Sequence, residues 1–600
     1  MTRAFQRIAI VNRGEAAVRF IRAVRDYNRE RQTALVAIAL YTDPDRQAPF
    51  VRLADEAYAL GPALRHNATG ALVSAYTDLD HLMRTLEQVR AEAVWPGWGF
   101  VAENASFVEM LENRDITFIG PPSAAMRRLG DKIAAKKVAT AAKVPMAPWH
   151  LVNDGESLDV TETAATRIGY PLVVKASAGG GGRGIRVVKS ADELAPSLAS
   201  VADEVRRSFG GGGLFLESCV TAARHIEVQL VVGANGKGRT LGIRDCSIQR
   251  KHQKVIEEAP SPVVGGALSQ RLQDAAVRLG EEVGYRGVGT VEFLVDPTRD
   301  FAHFLEVNTR LQVEHTVTEL VTGVDLVQVQ LDIARGLPWD ELQPPEPTRG
   351  HAIEVRLNAE DPERNFTPSP GVVRVFKAPL GPGIRVDSGI AEGVAIAPEF
   401  DSMIAKLMAH GRDRGQAMAR LLRALRELEL VVEDGTSNKS FLVDLLQRPE
   451  VISGSADTGW LDRVGTIGPT PSEHPLSFEA LCATAILVRR EAIKKAAAGF
   501  HEDVQDGIPW PIKTAPSEGI SLSLRGQSAT FEAHALGADR FLVGPSGSLF
   551  FATFTARGPG QADLTLHTLA ADGDLASHDG QAVARRHEVL FAHGKTGFAL

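Results

Sequence analysis

The stretch of the chain that most constrains the fold is residues 304–315, because polar and apolar side chains alternate along it. Alternation with a period of two is typical of an extended strand, whose successive side chains point to opposite faces. One face of that strand would carry Glu306, Asn308, Arg310, Gln312 and Glu314. A salt-bridged strand at the edge of a sheet is one interpretation. Two carboxylates, two carboxamides and a guanidinium in one row favour the other interpretation, which is a functional site.

A second strand is predicted just upstream, at residues 290–295, and turn-forming residues at 296–300 separate it from the first. Turn residues between two such runs predict a β-hairpin. The hairpin would bring Glu292 beside Glu306 and Asn308. A protein-bound Mg²⁺ ion typically takes one or two carboxylates and completes its coordination with water and substrate phosphates. The pattern therefore indicates an enzyme that acts on a nucleotide phosphate.

A glycine-rich run at residues 179–184 supports a phosphate site. It is not a Walker loop, since no Gly-Lys-Ser/Thr follows, and no helix opens after it as a dinucleotide fingerprint requires. Glycines allow backbone N–H groups to close over phosphates, and they also allow a loop to move. The run alone is at least as consistent with a linker. Lys175, at the end of the predicted strand before it, favours the phosphate site because its ammonium group could reach a phosphate.

Two further clusters carry polar groups. Residues 224–230 alternate polar and apolar side chains, and residues 246–254 form a predicted loop rich in basic and amide groups. Lone histidines are more often structural than catalytic. Cys246 and His252 have no sequence partners at zinc spacing, so we assign no zinc site. We expect Lys254 and His252 to hold an anion.

Motifs spread along the chain resemble those of a known family. They occur in the order VNRGE (11–15), WPGWGFVAEN (95–104), FIGP (118–121), GDK (130–132), the glycine run, RDCSIQRKHQK (244–254), the polar row at 306–314, RGHAIEVRLNAE (349–360) and FDSMIAKL (400–407). This series resembles the biotin carboxylase component of biotin-dependent carboxylases, an ATP-grasp fold, over about residues 5–450. Departures from the family pattern at Trp95, Trp98, Thr316 and residues 435–440 remove no matched catalytic group. They leave the subfamily and the dimer contacts open.

The resemblance implies a role for each matching residue. ATP would be bound by Lys132, Lys175, Gly180, Gly181, Gly182, Glu217, Val220, His225, Gln249 and His252. Magnesium or manganese would be bound by Glu292, Glu306 and Asn308. Bicarbonate would be held by Lys254, Arg310, Gln312 and Val313. Glu314 would deprotonate the bicarbonate and Arg356 would stabilise the biotin enolate, so the catalytic residues would be Lys254, Arg310, Glu314 and Arg356.

The implied reaction is the ATP- and bicarbonate-dependent carboxylation of biotin through carboxyphosphate, as the first half-reaction of an acyl-CoA carboxylase. Another biotin-dependent carboxylase, of pyruvate or urea, is an alternative. A ligase of the carbamoyl-phosphate synthetase type is a second, although Arg356 and residues 400–407 argue against it. A non-catalytic scaffold on the same fold is disfavoured because the matched site residues are intact.

The chain is organised as several α/β and α+β domains. Residues 1–118 alternate strands and helices, which predicts an open α/β domain. Residues 119–336 would form the ATP-grasp domain, with a glycine-rich lid at about 147–219. A proline- and acid-rich linker at 338–347 precedes a mixed, β-rich domain at 348–455.

The C-terminal part, residues 470–600, has a different pattern. Residues 476–498 predict a helix that is apolar on nearly every side at 480–488, and short alternating strands follow after residue 511. A helix that is apolar all round needs surroundings on all sides, which curled strands could provide. The arrangement resembles, in architecture, the domain of multidomain acyl-CoA carboxylases that docks to the carboxyltransferase. A plain β-barrel appendage is the alternative.

Composition indicates the class of partner. The formal net charge of −8 gives no basis for binding nucleic acid or an acidic membrane surface. Three cysteines in 600 residues favour a reducing compartment, and the sequence has no signal peptide or apolar run of about 20 residues, so we expect a cytoplasmic protein.

The biotinylation sequence of carrier proteins does not occur in the chain. We therefore expect biotin on a separate carrier domain or protein, a carboxyltransferase partner, and a homo-oligomer within a larger complex.

Overall fold

The computed structural model describes residues 5–465 except 154, 177–183, 210–212, 221–222, 297, 299 and 338–347, together with 481–490 and most of 520–599. The predicted linker at 338–347 and the predicted ATP ligands Gly180, Gly181 and Gly182 lie outside the described residues. Among the described helices, none combines the length and the apolar character that crossing a bilayer requires.

Residues 7–118 form the open α/β domain that the sequence predicts. Its elements are β1 (Arg7–Ile10), α1 (Gly14–Arg31), β2 (Val36–Thr42), α2 (Pro49–Leu53), β3 (Glu56–Gly61), β4 (Leu64–His66), β5 (Leu72–Ser74), α3 (Leu79–Gln88), β6 (Ala93–Trp95), α4 (Ala105–Glu112) and β7 (Thr117–Phe118). The main sheet is parallel, in the order β3-β2-β1-β6-β7, and β4 pairs with β5 in a small hairpin. Strands β1, β2 and β6 are rich in Val, Ile and Ala because both faces of a parallel sheet are covered.

The next region contains a smaller unit inserted into a larger one. The larger unit, the body, begins with α5 (Ser123–Gly130) and α6 (Lys132–Ala141). The inserted unit, here called the lid, comprises β8 (Trp149–Val152), α7 (Leu158–Ile168), β9 (Leu172–Ala176), β10 (Ile185–Val188), α8 (Leu194–Phe209) and β11 (Leu214–Ser218). Its antiparallel sheet has the order β10-β9-β11-β8. The lid is therefore a separate layer joined to the body by two chain segments.

The body resumes after the lid, and its sheet continues into the third domain. The body has β12 (Arg224–Val232), β13 (Gly238–Arg250), β14 (Gln253–Ala259), α9 (Gly266–Glu282), β15 (Gly287–Asp296), β16 (Phe301–Asn308), α10 (His315–Thr322) and α11 (Leu326–Ala334). The third domain has β17 (His351–Asn358), β18 (Glu360–Asp361), β19 (Thr367–Pro368), β20 (Val372–Lys377), β21 (Ile384–Ser388), β22 (Met403–Gly411), α12 (Arg414–Glu427), β23 (Glu429–Glu433), α13 (Lys439–Leu445), α14 (Pro449–Ser453) and α15 (Trp460–Val464).

One antiparallel sheet of eight strands crosses the boundary between these two domains. Its order is β16-β15-β12-β13-β14-β17-β22-β21. Strand β14 of the body pairs directly with β17 of the third domain, with Ile256 opposite Val355. Side chains on these strands therefore hold fixed positions relative to one another although they come from different domains.

The N-terminal domain is fastened to the body by buried polar contacts. Arg19 of α1 lies 2.9 Å from a carboxylate oxygen of Glu319 on α10, and the Tyr27 hydroxyl donates to Asp332 of α11 at 2.8 Å. Apolar side chains of α1 and α11 share one core cluster. The N-terminal domain and the third domain are thus both attached to the body.

The C-terminal part contains a helix packed on strands, as the sequence predicts. The strands are β24 (Ile520–Leu524), β25 (Gln527–Ala535), β26 (Arg540–Pro545), β27 (Phe550–Gly558), β28 (Gln561–His567), β29 (Ser577–His578), β30 (Gln581–Ala582), β31 (Ala584–Leu590), β32 (Ala592–Gly594) and β33 (Gly597–Ala599). Of the predicted helix at 476–498, residues 481–490 are described, and they are helical. Ile486 of this helix is fully buried in one cluster with Phe531 and Val543 of the antiparallel sheet β24-β25-β26-β27-β28-β31.

Candidate functional site

The polar row that the sequence predicts as one strand is only partly a strand. β16 ends at Asn308, so the predicted extension to residue 315 is wrong. The N-terminal domain accounts for the break, because the Glu103 carboxylate accepts from the Thr309 N–H at 3.2 Å and from Arg310 Nε at 2.9 Å. The chain turns there, and Glu314 is the residue directly before α10. The second half of the row therefore reaches the site from a loop, and not along a strand face.

Lys254, on β14, is the cation at the centre of the site. Its Nζ atom lies 3.0 Å from Glu292 and 2.8 Å from Glu314, and it also pairs with Glu227. Burial alone would lower the pKa of Lys254, but the three carboxylates outweigh burial and raise it. Burial alone would raise the pKa of Glu314, but Lys254 and then Arg356 outweigh burial and hold that pKa well below its usual range. Glu314 is therefore an ionised carboxylate.

Arg356, on β17, joins Glu314 to another buried carboxylate. Its Nη2 donates to Glu314 Oε2 at 3.0 Å, and its Nε donates to Glu257 Oε1 at 2.6 Å. Each oxygen of Glu314 thus faces a different cation, Lys254 at Oε1 and Arg356 at Oε2. Burial raises the pKa of Glu257 to about 7, in spite of the adjacent guanidinium. The two carboxylates that share Arg356 therefore differ in their affinity for a proton.

Glu292, on β15, is the common partner of several polar side chains of the site. Its Oε1 accepts from Asn308 Nδ2 at 2.7 Å and from Gln312 Nε2 at 2.8 Å, while Oε2 lies 3.0 Å from His225 Nε2. Gln249 Nε2 lies 2.7 Å from the other ring nitrogen of His225. Burial alone would lower the pKa of His225, but the Glu292 carboxylate outweighs burial and raises it. Residues from β12, β14, β16 and the loop after β16 therefore converge on one carboxylate.

Glu292 and Glu306 are direct partners across the hairpin of β15 and β16, which confirms the predicted hairpin. Residues directly opposite in an antiparallel pair place their side chains on the same face. The walls of the cleft desolvate the Glu306 carboxylate and raise its pKa, and the Glu292 carboxylate raises it further. Two carboxylates on one face, with the Asn308 amide oxygen nearby, are the hard ligands that Mg²⁺ prefers. This donor set fits a divalent cation.

A further set of possible ligands lies beside it. One ligand atom each of His225, Glu227 and Glu292 lie within 4.8 Å of one another. Lys132, at the start of α6, faces the same region, and the Glu306 carboxylate opposes the lowering of the Lys132 pKa by burial. The cleft therefore combines acids that can hold a cation with an ammonium group that can meet an anion.

Glu217, on β11, is the centre of a separate cluster. Its Oε2 lies 2.8 Å from Lys136 Nζ and 3.3 Å from His303 Nε2, and Lys175 also pairs with this carboxylate. Burial alone would raise the pKa of Glu217, but His303 and the two lysines outweigh burial and hold it well below its usual range. The cluster offers an ionised acceptor beside ammonium groups, which suits the base and the phosphates of a nucleotide.

Arg244, on β13, holds several of these groups in place. It is fully buried, and its guanidinium donates to Glu227 at 3.0 Å, to Gln229 at 2.6 Å and to Gln312 Oε1 at 2.6 Å. Because the amide oxygen of Gln312 accepts from Arg244, the amide nitrogen is directed to Glu292. Arg244 thus connects the loop after β16 to the sheet.

The remaining predicted site residues lie at the margin of the clusters around Lys254, Glu292 and Glu217. The predicted loop at 246–254 is mostly strand, and His252 is exposed in the turn between β13 and β14 with a φ of +64°. Val220 lies two residues beyond β11. The Val313 carbonyl accepts from the fully buried Lys406 at 2.7 Å. Arg310 remains at the cleft through its bond to Glu103.

Several residues of the site were missed by sequence reasoning. Glu227 could have been found, because it alternates with His225 and Gln229 along β12. Lys136 could also have been found, because it stands one helical turn after Lys132. No local pattern indicates the roles of Glu103, Arg244, Glu257 and His303.

A cavity of about 650 Å³ opens beside this network. It is lined by Lys254, Arg310, Gln312, Glu314 and Arg356 on one side and by residues 12–16 and 400–403 of the two flanking domains on the other. Arg13 stacks on Phe400 there, with 4.2 Å from the guanidinium carbon to the ring centre. The cavity is large enough for a small organic substrate.

Known proteins match the chain over most of its length. Three family models match successive parts: the biotin carboxylase N-terminal domain at 4–126, the ATP binding domain of the carbamoyl-phosphate synthase L chain at 131–342, and the biotin carboxylase C-terminal domain at 354–463. Biotin carboxylase 1 of Bacillus subtilis is 39% identical over 465 residues, which cover 77% of this chain and 99% of that protein. The mitochondrial methylcrotonoyl-CoA carboxylase subunit alpha of Mus musculus is 34% identical over 576 residues, which cover 96% of this chain and 76% of that protein.

A solved structure agrees with these matches. The biotin carboxylase domain of the 2-oxoglutarate carboxylase of Hydrogenobacter thermophilus was solved with the magnesium salt of ADP, ADP and bicarbonate. It matches with a TM-score of 0.69 and 35% identity, and the match covers 77% of this chain and 98% of that chain. The chain therefore belongs to the biotin carboxylase family.

Proposed function

We propose that this chain uses ATP and bicarbonate to carboxylate biotin, as the first half-reaction of an acyl-CoA carboxylase. Biotin carboxylase activity follows from the family, whose members bind ATP with Mg²⁺ and bicarbonate and act on biotin carried by a separate carrier. The acyl-CoA acceptor is the finer part of the proposal. The observation that carries the chemistry is the Glu314 carboxylate held between Lys254 and Arg356 at the wall of the cavity.

Bicarbonate binding and deprotonation are assigned to the loop after β16 and to Lys254. Lys254 and Arg310 supply positive charge for the anion, and Gln312 supplies an amide N–H. A Glu314 carboxylate with a strongly lowered pKa is a weak base on its own. Bicarbonate placed against Lys254 shares that cation, which weakens its hold on Glu314 and raises the basicity of Glu314. The base therefore becomes stronger when its substrate is bound.

Phosphoryl transfer follows deprotonation. The bicarbonate proton passes to Glu314, and a bicarbonate oxygen bonds to the γ-phosphorus of ATP as the bond to the ADP oxygen breaks, giving carboxyphosphate and ADP. Lys132 and Lys175 supply positive charge to the phosphates. Magnesium or manganese, held by Glu292, Glu306 and Asn308, would neutralise further phosphate charge when bound.

Carboxyl transfer uses the other side of the cavity. Carboxyphosphate splits into CO₂ and phosphate, the phosphate takes the ureido N–H proton of biotin, and the nitrogen bonds to the CO₂ carbon. Negative charge develops on the biotin ureido oxygen during this step. Arg356 is positioned to offset it from β17, since its guanidinium lines the cavity and is fixed by Glu257 and Glu314.

The acyl-CoA acceptor is supported by the C-terminal part of the chain. The similarity to the methylcrotonoyl-CoA carboxylase subunit alpha covers 96% of this chain, and so extends beyond the catalytic domains. The helix at 481–490 packed on β25, β26, β27 and β28 forms a separate core after those domains. We assign this part to docking with a carboxyltransferase, within an oligomer that includes a biotin carrier. The three free thiols, Cys219, Cys246 and Cys482, agree with a cytoplasmic location.

The chemistry is tested by measuring phosphate release from ATP with and without bicarbonate and free biotin. We expect release that requires bicarbonate and rises with biotin, together with carboxybiotin from labelled bicarbonate. ATP hydrolysis that depends on bicarbonate but makes no carboxybiotin would favour a ligase of the carbamoyl-phosphate synthetase type. Hydrolysis that is indifferent to bicarbonate would refute the proposal.

The acceptor class is tested by purifying the full chain with its partners and offering acyl-CoA substrates, pyruvate and urea. Deletion of residues 466–600 supplies the matched comparison, since the 465-residue match to Bacillus subtilis biotin carboxylase 1 spans 99% of that protein. We expect the truncated chain to carboxylate free biotin but no longer to bind the carboxyltransferase. A truncated chain that retains the partner at full affinity would exclude the docking role.

A further inference from the structure

His303 connects both ends of the lid to the body. It lies on β16 and is 1% exposed. Its Nδ1 atom accepts from the backbone N–H of Ala147, just before the lid begins, at 2.7 Å. Its Nε2 atom lies 3.3 Å from Oε2 of Glu217, near the end of the last lid strand. One imidazole ring on the body thus contacts the segment that leads into the lid and the strand that leads out of it.

The chemistry of the two partners allows one form of the ring. A backbone N–H group can only donate, so Nδ1 must be unprotonated. An ionised carboxylate can only accept, so Nε2 must carry the proton. Burial lowers the pKa of His303, which favours the neutral ring. The neutral ring with its proton on Nε2 satisfies both contacts.

Backbone hydrogen bonds bring the same segments together at this point. The Phe304 N–H donates to the Pro145 carbonyl at 2.9 Å, so β16 holds the segment before the lid. The Ser218 N–H donates to the Pro148 carbonyl at 3.2 Å, so the two ends of the lid hold each other. These bonds fix the backbone. They leave the direction of the Glu217 side chain to its side-chain partners.

Among the residues that the structure describes, the Glu217 carboxylate has three cationic or proton-donating neighbours. Lys136 and Lys175 supply flexible ammonium groups, and each stands on a side chain with several rotatable bonds. His303 supplies a donor on a rigid ring that is itself anchored by Ala147. The imidazole is therefore the partner that can fix where the carboxylate points.

We propose that His303 is a positioning residue for nucleotide binding, which holds the Glu217 carboxylate and the start of the lid in one relation to β16. The inference rests on the proposed function, because it takes Glu217 and Lys175 as ATP ligands. His303 does not touch the reacting atoms. Its loss should therefore raise the KM for ATP more than it lowers kcat.

Three substitutions separate the two contacts of the ring. His303→Phe removes both. His303→Gln places an amide N–H near the position of Nε2, and so retains a donor to Glu217. His303→Asn places an amide oxygen near the position of Nδ1, and so retains an acceptor for Ala147. Each variant is assayed for kcat and for the KM values of ATP and bicarbonate, with free biotin as acceptor.

We expect His303→Phe to raise the KM for ATP about tenfold, the factor that loss of one hydrogen bond to a charged group represents. We expect kcat and the KM for bicarbonate to change by less than about threefold, since Glu314 and Lys254 form a separate network. His303→Gln should restore most of the ATP affinity, and His303→Asn should restore less.

A matched control is His351→Gln, which changes another buried histidine paired with a glutamate, Glu258, at 2.7 Å. It should leave the KM for ATP at the value of the unmodified chain. If His303→Phe does not fold, the comparison of His303→Gln with His303→Asn decides, and equal KM values for ATP would overturn the assignment. An unchanged KM in His303→Phe would overturn it as well.

Failure of the proposed function would give a different result. If the unmodified chain shows no bicarbonate-dependent turnover, binding of the magnesium salt of ADP is measured by calorimetry for the same variants. Weaker binding in His303→Phe than in His303→Gln would then support the positioning role while the carboxylation proposal falls. Equal binding in all variants would refute the positioning role as well.

Discussion

Replacing Glu314 by Gln tests the central assignment. In many enzymes this change keeps geometry and removes basicity, but here both oxygens of Glu314 accept from cations, Oε1 from Lys254 at 2.8 Å and Oε2 from Arg356 at 3.0 Å. A Gln side chain has one oxygen and one NH₂ group. Whichever way the amide turns, its NH₂ group must face a cation. The substitution therefore removes the base and also displaces either Lys254 or Arg356.

The size of the effect follows from these two losses. Removal of a general base typically costs ~10²–10⁴-fold in turnover. Misdirecting one hydrogen bond to a charged group costs about 1.5–3 kcal/mol, roughly a further tenfold or more if the bond acts in the transition state. We therefore expect Glu314→Gln to lower bicarbonate-dependent ATP hydrolysis by about 10³-fold or more. The KM for ATP should change little, because Glu217 and Lys175 belong to another cluster.

The assay is phosphate release at saturating ATP, with bicarbonate varied and free biotin present or absent. Glu257→Gln is the matched control, because Glu257 shares Arg356 with Glu314 but binds it through one oxygen, so a Gln oxygen can replace that contact. We expect Glu257→Gln to cost less than about tenfold. Turnover of Glu314→Gln within tenfold of the unmodified chain would refute the role of Glu314 as base. An equal loss in both variants would show that Arg356, and not the base, limits the reaction.

Three further expectations follow from the same network. Arg356→Ala should lower free-biotin carboxylation more than bicarbonate-dependent ATP hydrolysis, although both should fall because Arg356 also holds Glu314; equal losses would mean that Arg356 is not specific to biotin. Glu306→Lys should abolish ATP turnover and change the free energy of unfolding by about 1 kcal/mol or less, since the Glu306 side chain, although the cleft walls desolvate its carboxylate, is open to solvent and belongs to no apolar core of the described residues, and retained turnover would remove Glu306 from the metal site. The pKa of Glu257 is about 7 in the folded state, against an ordinary value of 4.5. The contribution of Glu257 to the free energy of unfolding is therefore complete below pH 4.5 and is lost as the pH rises through 7, by up to about 3 kcal/mol. Urea unfolding at pH 5 and pH 7.5 should therefore show a larger loss in the unmodified chain than in Glu257→Gln, and parallel losses would contradict this.

Local patterns predicted the parts of the fold that depend on neighbours in sequence. The alternation around Glu292 and Glu306 and the turn between them gave the hairpin, and the register places the two acids opposite each other. The strand and helix pattern of residues 7–118 gave the open α/β domain. The apolar segment at 480–488 predicted a helix buried against strands, and Ile486 is fully buried there.

Contacts between distant parts of the chain could not be predicted in this way. β16 ends at Asn308 because Glu103, about 200 residues earlier, accepts hydrogen bonds from Thr309 and Arg310. The pairing of Arg356 with Glu257 and Glu314 depends on β17 joining β14, which no local pattern specifies. The resemblance to biotin carboxylases suggested roles for Arg310, Glu314 and Arg356, but not the partners that hold them.

The sheet that crosses the domain boundary also constrains how the chain is made. β14 ends at residue 259, and its partner β17 begins at residue 351, so roughly ninety residues must be synthesised before the pair can form. Chain synthesis at about 5–20 residues per second takes roughly 5–20 s over this distance, and during that time this edge of β14 has no partner strand. An unpaired edge is a template for pairing with another chain. A gene fragment that stops near residue 340 would keep this edge open permanently, so the ATP-binding part of the enzyme should aggregate when it is expressed without the domain that follows it.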